Sequence, residues 1–275
     1  MGLKNFERLK NLSSWRKLSI ATWRAPNDPT VYGQLPIDFT ACRAYLEKIN
    51  KDSDIKITVT HLVAKAVALA LRSFPDLNGI IRWRRIYIRK TVDISLQVAI
   101  EQKGRAEKPD LSAAKVENCD EKSLQQIARE LKKKSESIRT GNDPQFRSTL
   151  RMLDLLPPLL LTWAVKFMVF LTFDLGLAFP RLGLPRDPFG SAMVTSVGML
   201  RVPSGFAPLV PLSRVPIIVC AGEVKDQPWV IEGQLVVRPV LDLSFTFDHR
   251  FIDGLTGSRM ANYLRGIIEN PDKFF

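Results

Sequence analysis

Near the C-terminus one short run holds the side chains best suited to moving a proton. His249 stands between Asp248 and Arg250, four residues before Asp253, and Gly254 follows. An imidazole titrates close to neutrality, and a fixed partner on one ring nitrogen selects the tautomer that leaves the other free to act as a base. The same residues also make a structural histidine in an ion-paired turn, and spacing by itself leaves both readings open.

The elements that must hold this run are legible around it. Leu241, Leu243, Phe245 and Phe247 alternate with Asp242, Ser244, Thr246 and Asp248, the period-two pattern of a strand with one buried face. His249 comes where the alternation stops, Gly254 lets the chain turn, and an amphipathic run begins. The sequence therefore predicts a strand, a turn carrying the histidine, and a helix.

Asp248-His249-Arg250-Phe251-Ile252-Asp253-Gly254 resembles the DHRxxDG signature of the dihydrolipoyl acyltransferase cores of 2-oxo acid dehydrogenase complexes, which share a fold with chloramphenicol acetyltransferase. Arg259 to Arg265 and Glu269-Asn270-Pro271 resemble that family's last helix and closing proline, Trp15 to Ala21 its RKxIA entry, and Leu35 to Thr40 its first strand. Pro75-Asp76-Leu77-Asn78 resembles its PxLN turn, and Phe189 to Gly198 is similar to its GGTFTISNxG strand.

The resemblance implies an α/β (α+β) fold of the chloramphenicol acetyltransferase type: a two-layer sandwich of a mixed β-sheet and packed helices, forming one domain over residues 1–275. It implies His249 as general base toward a thiol or hydroxyl acceptor and coenzyme A as the acyl carrier, with no metal and no lipoyl group on this chain. Alignment on Gly198 puts Thr195 at the family's oxyanion-donating hydroxyl and Ser196 at its asparagine. Asp253 is expected to hold the histidine loop through an arginine such as Arg16, with Asp248 and Gly254 in support. The family's architecture implies a homotrimer with His249 facing Thr195 of the next copy, and a larger cage if Phe274-Phe275 serve as knobs between trimers. For Thr195 and Ser196, a buried strand whose hydroxyls satisfy nearby backbone is the plainer reading. The functional alternative is a catalytically idle scaffold, or a membrane-associated assembly protein that keeps the fold.

Composition sets looser bounds. The 275 residues are 45% hydrophobic, ordinary for a globular core, and the net charge of +12 favours anionic partners such as phosphates of coenzyme A or phospholipid headgroups. Cys42, Cys119 and Cys220 are odd in number and far apart, so neither a disulfide framework nor a zinc site is expected, and a reducing cytoplasm fits. Residues 1–17 lack the apolar segment of a secretory signal, and Phe6 stands where myristoylation needs Ser or Thr. No lipoyl-bearing or subunit-binding segment is read before the core.

Helices are predicted over residues 38–50, with Thr40 as a cap, over 58–73, and over 123–138. His61, on the second, is read as packing or surface. A basic hairpin is predicted over residues 80–90; its interleaved aromatics are also compatible with nucleic acid, but no RNA-binding signature accompanies them and none is expected as partner. Residues 97–115 depart from the family, with Glu101-Gln102-Lys103-Gly104 where its Asp-Gly-Leu element belongs, so the acceptor need not be dihydrolipoamide.

The second departure is an apolar helical insertion over residues 150–185. Residues 155–173 are almost wholly apolar, with Pro157-Pro158 at the start and Lys166 inside. Three readings stand: an interfacial helix on a membrane, a helical hairpin against a neighbouring subunit, or a true anchor. Surface or subunit contact over residues 155–177 is favoured, because a single crossing would place two parts of one domain on opposite sides of the bilayer.

Overall fold

The computed structural model describes residues 13–15, 17–18, 28–100, 110–140, 157–178 and 185–275. A six-stranded sheet runs through it in the order β1-β8-β7-β6-β4-β5. Its strands are β1 (Thr30–Asp38), β4 (Ile94–Ile100), β5 (Asp110–Val116), β6 (Ala192–Ser196), β7 (Ile217–Ile231) and β8 (Gln234–Asp248). β6 lies parallel to both β4 and β7, while the other neighbours are antiparallel, so the sheet is mixed. The pair β2 (Gly79–Arg82) and β3 (Arg85–Ile88) forms a separate hairpin, turning through Trp83 and Arg84, both at positive φ.

One face of the sheet carries the helices. Leu241, Leu243, Phe245 and Phe247 of β8 join Val194, Val219 and Ile37 in one buried cluster with α1 (Thr40–Lys51), α2 (Val59–Ser73), α3 (Leu124–Arg139) and α5 (Gly254–Glu269). The predicted alternation is thus what turns β8 toward the helices. The opposite face holds Met193 and Ile218, covered by a loop that includes Ala207, Leu209 and Val210. That loop comes close enough for Pro203 to need a glycine beneath it: a Cβ on Gly222 would lie 1.8 Å from the Pro203 oxygen.

The helix starts differ in detail from expectation. Thr40 does not cap α1; its backbone N–H and its hydroxyl both donate to the Asp38 carboxylate, a shorter reach from the end of β1. α2 begins at Val59 after Thr58, and His61 closes the cap, its Nδ1 accepting the Thr58 N–H at 3.0 Å. α3 starts on Ser123, which accepts from Gln126 N–H while Gln126 Oε1 accepts from Ser123 N–H.

The apolar insertion forms α4 (Pro158–Val169), continued by a π-turn over Phe170–Asp174. At about 1.5 Å per residue its twelve residues cover about 18 Å, short of a bilayer core. Among the described residues no helix is long and apolar enough to cross a membrane. The short C-terminal helix α6 (Pro271–Phe274) folds back: Phe274 and Phe275 pack on the domain's own core, with the Phe275 ring 6.1 Å from Tyr45 and that of Phe274 6.3 Å from Tyr263. The terminal pair is therefore engaged within its own domain. All three cysteines are buried and free, and burial pushes the Cys42 and Cys119 thiols up to about 12.

Candidate active site

β8 delivers Asp248 buried at its end and His249 exposed just past it. The His249 backbone N–H donates to Pro29 O at 2.8 Å, tying the turn to the entry of β1. The turn closes on itself, with the N–H groups of Phe251 and Ile252 donating to Asp248 O. The Phe251 ring then lies over Gly79, where a Cβ would fall 2.4 Å from it.

The histidine's tautomer follows from one contact. His249 Nδ1 is 2.8 Å from Ile252 O. A carbonyl oxygen only accepts, so Nδ1 carries a hydrogen, and in the neutral ring Nε2 holds the lone pair. That is the protonation pattern of a general base, and it is held by backbone rather than by a carboxylate. Asp248 is spent elsewhere: it accepts from Arg250 N, Nε and Nη2, and this bond raises the Arg250 pKa.

Asp253 caps α5, accepting Thr256 N–H at 2.7 Å. That bond, with a smaller contribution from His249, holds its carboxyl below the usual carboxylate range. The expected pairing with Arg16 lies outside the described residues. Gly254, first residue of α5, has no left-handed φ, and a Cβ there would meet open space. The turn itself does not demand a glycine at this position, which lies on the wall of a groove beside the histidine.

That groove, of about 330 Å³, runs between β1 and α5. Val31, Gln34, Phe247, Gly257, Ser258 and Asn262 are among its lining, and His249 stands on it. Its walls are largely apolar, with Gly33, Gly254, Gly257 and Ala261 among aromatic and aliphatic side chains.

Thr195 sits on β6, buried, and its hydroxyl donates to Gln97 Oε1 of β4 at 2.5 Å. Ser196, next in the strand, is half-buried. Gln97 is a residue that sequence reasoning missed, because only the parallel pairing of β4 with β6 brings it beside Thr195. Thr195 pairs with Cys220 and Cys220 with Ser244. His249 is therefore two strands over and five residues further along, roughly 15–20 Å from Thr195 at ordinary strand spacings. Within one copy the base and the hydroxyl do not meet.

A family model for the 2-oxoacid dehydrogenases acyltransferase (catalytic domain) matches residues 11–144 and 189–275 and leaves 145–188 unmatched. The chain is 25% identical over 249 residues to the lipoamide acyltransferase component of the branched-chain alpha-keto acid dehydrogenase complex of Bacillus subtilis, which covers 89% of this chain and 48% of that protein. It is 25% identical over 231 residues to the dihydrolipoyllysine-residue succinyltransferase component of the 2-oxoglutarate dehydrogenase complex of Saccharomyces cerevisiae, covering 84% and 40%. The chain thus spans less than half the length of these relatives. A probable dihydrolipoamide acetyltransferase from Listeria monocytogenes superposes with a TM-score of 0.64 at 19% identity over 96% of this chain and 95% of that one. The cubic core of the pyruvate dehydrogenase multienzyme complex gives 0.63 at 21%, over 99% and 96%, a likeness of fold. On the family match, together with the histidine turn and mixed sheet that it covers, the chain belongs to the 2-oxoacid dehydrogenase acyltransferase catalytic-domain family.

Proposed function

We propose that this domain transfers an acyl group between coenzyme A and a thiol or hydroxyl acceptor, using His249 of one copy and Thr195 of a second. The observation that carries the proposal is the His249–Ile252 hydrogen bond, which leaves Nε2 basic at the edge of an apolar groove. His249 Nε2 takes the proton of the acceptor, and the thiolate or alkoxide so formed attacks the thioester carbonyl carbon. The carbonyl electrons move to oxygen, where the Thr195 hydroxyl donates a hydrogen bond to the oxyanion. Collapse of the tetrahedral adduct breaks the bond to the coenzyme A sulfur, and that sulfur recovers the proton from Nε2.

Thr195 must release Gln97 Oε1 to do this. A half-turn of the Gln97 amide presents its NH2 to Thr195 Oγ and leaves the threonine hydrogen free for the oxyanion. Gln97 is then a positioning residue for the donor.

The separation of His249 from Thr195 inside one chain supports a site between copies. Exposed apolar side chains near both ends fit such a contact: Tyr32 beside the histidine groove, Met199 and Leu200 just past Thr195, and Leu235 and Val237 on the free end of the β7–β8 ribbon. A homotrimer would bring the two residues together across each interface, and the fold likeness to a cubic core is compatible with larger assemblies.

The test is acyl transfer from acetyl-CoA and longer acyl-CoAs to small dithiols and alcohols, wild type against His249→Ala. Transfer that vanishes with the imidazole supports the reading. Equal rates for the two proteins across these acceptors would leave an idle scaffold as the better description.

A further inference from the structure

The exposed side of α4 lies outside both the candidate site and the segments that the family model matches. Leu160, Trp163, Phe167 and Phe170 recur at intervals of three, four and three residues, and all four are exposed, Trp163 to 66% and Phe167 to 61%. At about 100° per residue they fall within an arc of about 80°, so the helix presents a continuous apolar stripe outward. Lys166 flanks the stripe with its Nζ 5.3 Å from the Trp163 ring centroid.

The stripe extends onto a second element. The Trp83 ring at the tip of the β2–β3 hairpin meets Phe170 edge-on at 6.2 Å, and Trp83 is itself 59% exposed. Asp174, at the end of the π-turn, fixes the junction: its carbonyl accepts from Arg82 Nε and Trp83 Nε1, and its carboxylate takes Arg214. Arg84 and Arg85 follow Trp83 and are exposed. Among the described residues, the acid at this corner is thus neutralised while Arg84, Arg85 and Lys166 remain at the rim.

We propose that this face docks on the surface of an anionic lipid bilayer, with α4 lying in the plane of the headgroups. Two features select this occupant. Tryptophan and phenylalanine beside lysine and arginine match the layered chemistry of a bilayer surface, where apolar rings reach the acyl boundary while cations stay with the phosphates. The helix is also too short to cross and carries a lysine on the flank of its stripe, so insertion along the plane satisfies both. A second protein copy would meet like charge with like charge at the rim.

The experiment is flotation of the 275-residue chain with vesicles of phosphatidylcholine containing phosphatidylglycerol, and with phosphatidylcholine alone. The wild type should float with the anionic vesicles, less so at high salt, and poorly with the neutral ones. The double variant Trp163→Ser/Phe167→Ser should lose flotation about tenfold or more, and Arg84→Glu/Lys166→Glu should lose the preference for anionic lipid. Circular dichroism and acyl transfer by both variants should stay as in the wild type, because none of the four substituted residues lines the histidine groove. Failure of the wild type to float with anionic vesicles overturns the proposal. So does unchanged flotation of the Trp163/Phe167 variant, or a change in that variant confined to oligomeric state, which would give the face to a second copy. Neither result bears on His249, which the transfer assay reads separately.

Discussion

The chain's two histidines occupy opposite surroundings. His61 sits half-buried in the first turn of α2, where its Nδ1 accepts the Thr58 N–H, and burial pushes its pKa down to about 4. His249 sits exposed past the end of β8, where its Nδ1 donates to Ile252 O. One ring has its lone pair turned inward to finish a helix. The other has its hydrogen fixed inward and its lone pair left for something that arrives. The contrast teaches that the direction of the Nδ1 hydrogen bond, more than the residue type, separates a cap from a base.

The largest effect expected from this contrast is on catalysis. His249→Ala should lower acyl transfer by about 10²–10⁴-fold, the usual scale for losing a general base, while thermal unfolding stays within a degree or so of the wild type. His61→Gln should change neither transfer nor unfolding temperature at neutral pH, because glutamine at the third helical position completes the same cap.

Next in size is a pH effect at His61. Its folded-state pKa lies below the ordinary 6.5, so the fold favours the neutral ring, and the stability gained is complete above about pH 6.5 and is lost as pH falls through about 4. Between pH 7 and pH 4.5 that amounts to roughly 2–3 kcal/mol. Urea unfolding should show that loss in the wild type, and a flatter profile in His61→Gln.

A smaller effect falls on the oxyanion side. Gln97→Leu should lower kcat about tenfold with little change in KM for acyl-CoA, since the donor is misaligned and binding is not touched. A drop in thermal stability with kcat unchanged would make Gln97 a structural partner only. Smallest is the helix cap: Asp253→Ala should lower the unfolding temperature slightly and Asp253→Asn should restore it, because either side chain can accept the Thr256 N–H.

The strand and the turn were legible because β8 writes its orientation in alternation and the turn carries a dense motif. The Asp253 cap was legible too, as an Asp before a helix, but the motif's acidic residue drew attention as an ion-pair partner instead. The Ile252 carbonyl was not legible, since backbone acceptors leave no residue type to read. Gln97 was hidden for a different reason: a parallel pairing between residues almost 100 positions apart sets its contact, and its stretch departs from the family pattern. The same limit applied to residues 155–173, where composition announced an apolar helix but could not say which side would face out. The fold turned Thr172 and Phe173 inward and left Trp163 and Phe167 outside.

The central claim is that base and oxyanion donor come from different copies. It is tested by mixing His249→Ala with Thr195→Ala under conditions that exchange subunits, neither variant being active alone. If the site lies between copies, some interfaces in the mixed assembly pair an intact histidine with an intact threonine, and acyl transfer returns to a fraction of the wild-type rate. No recovery in an assembly shown to contain both chains would contradict the account.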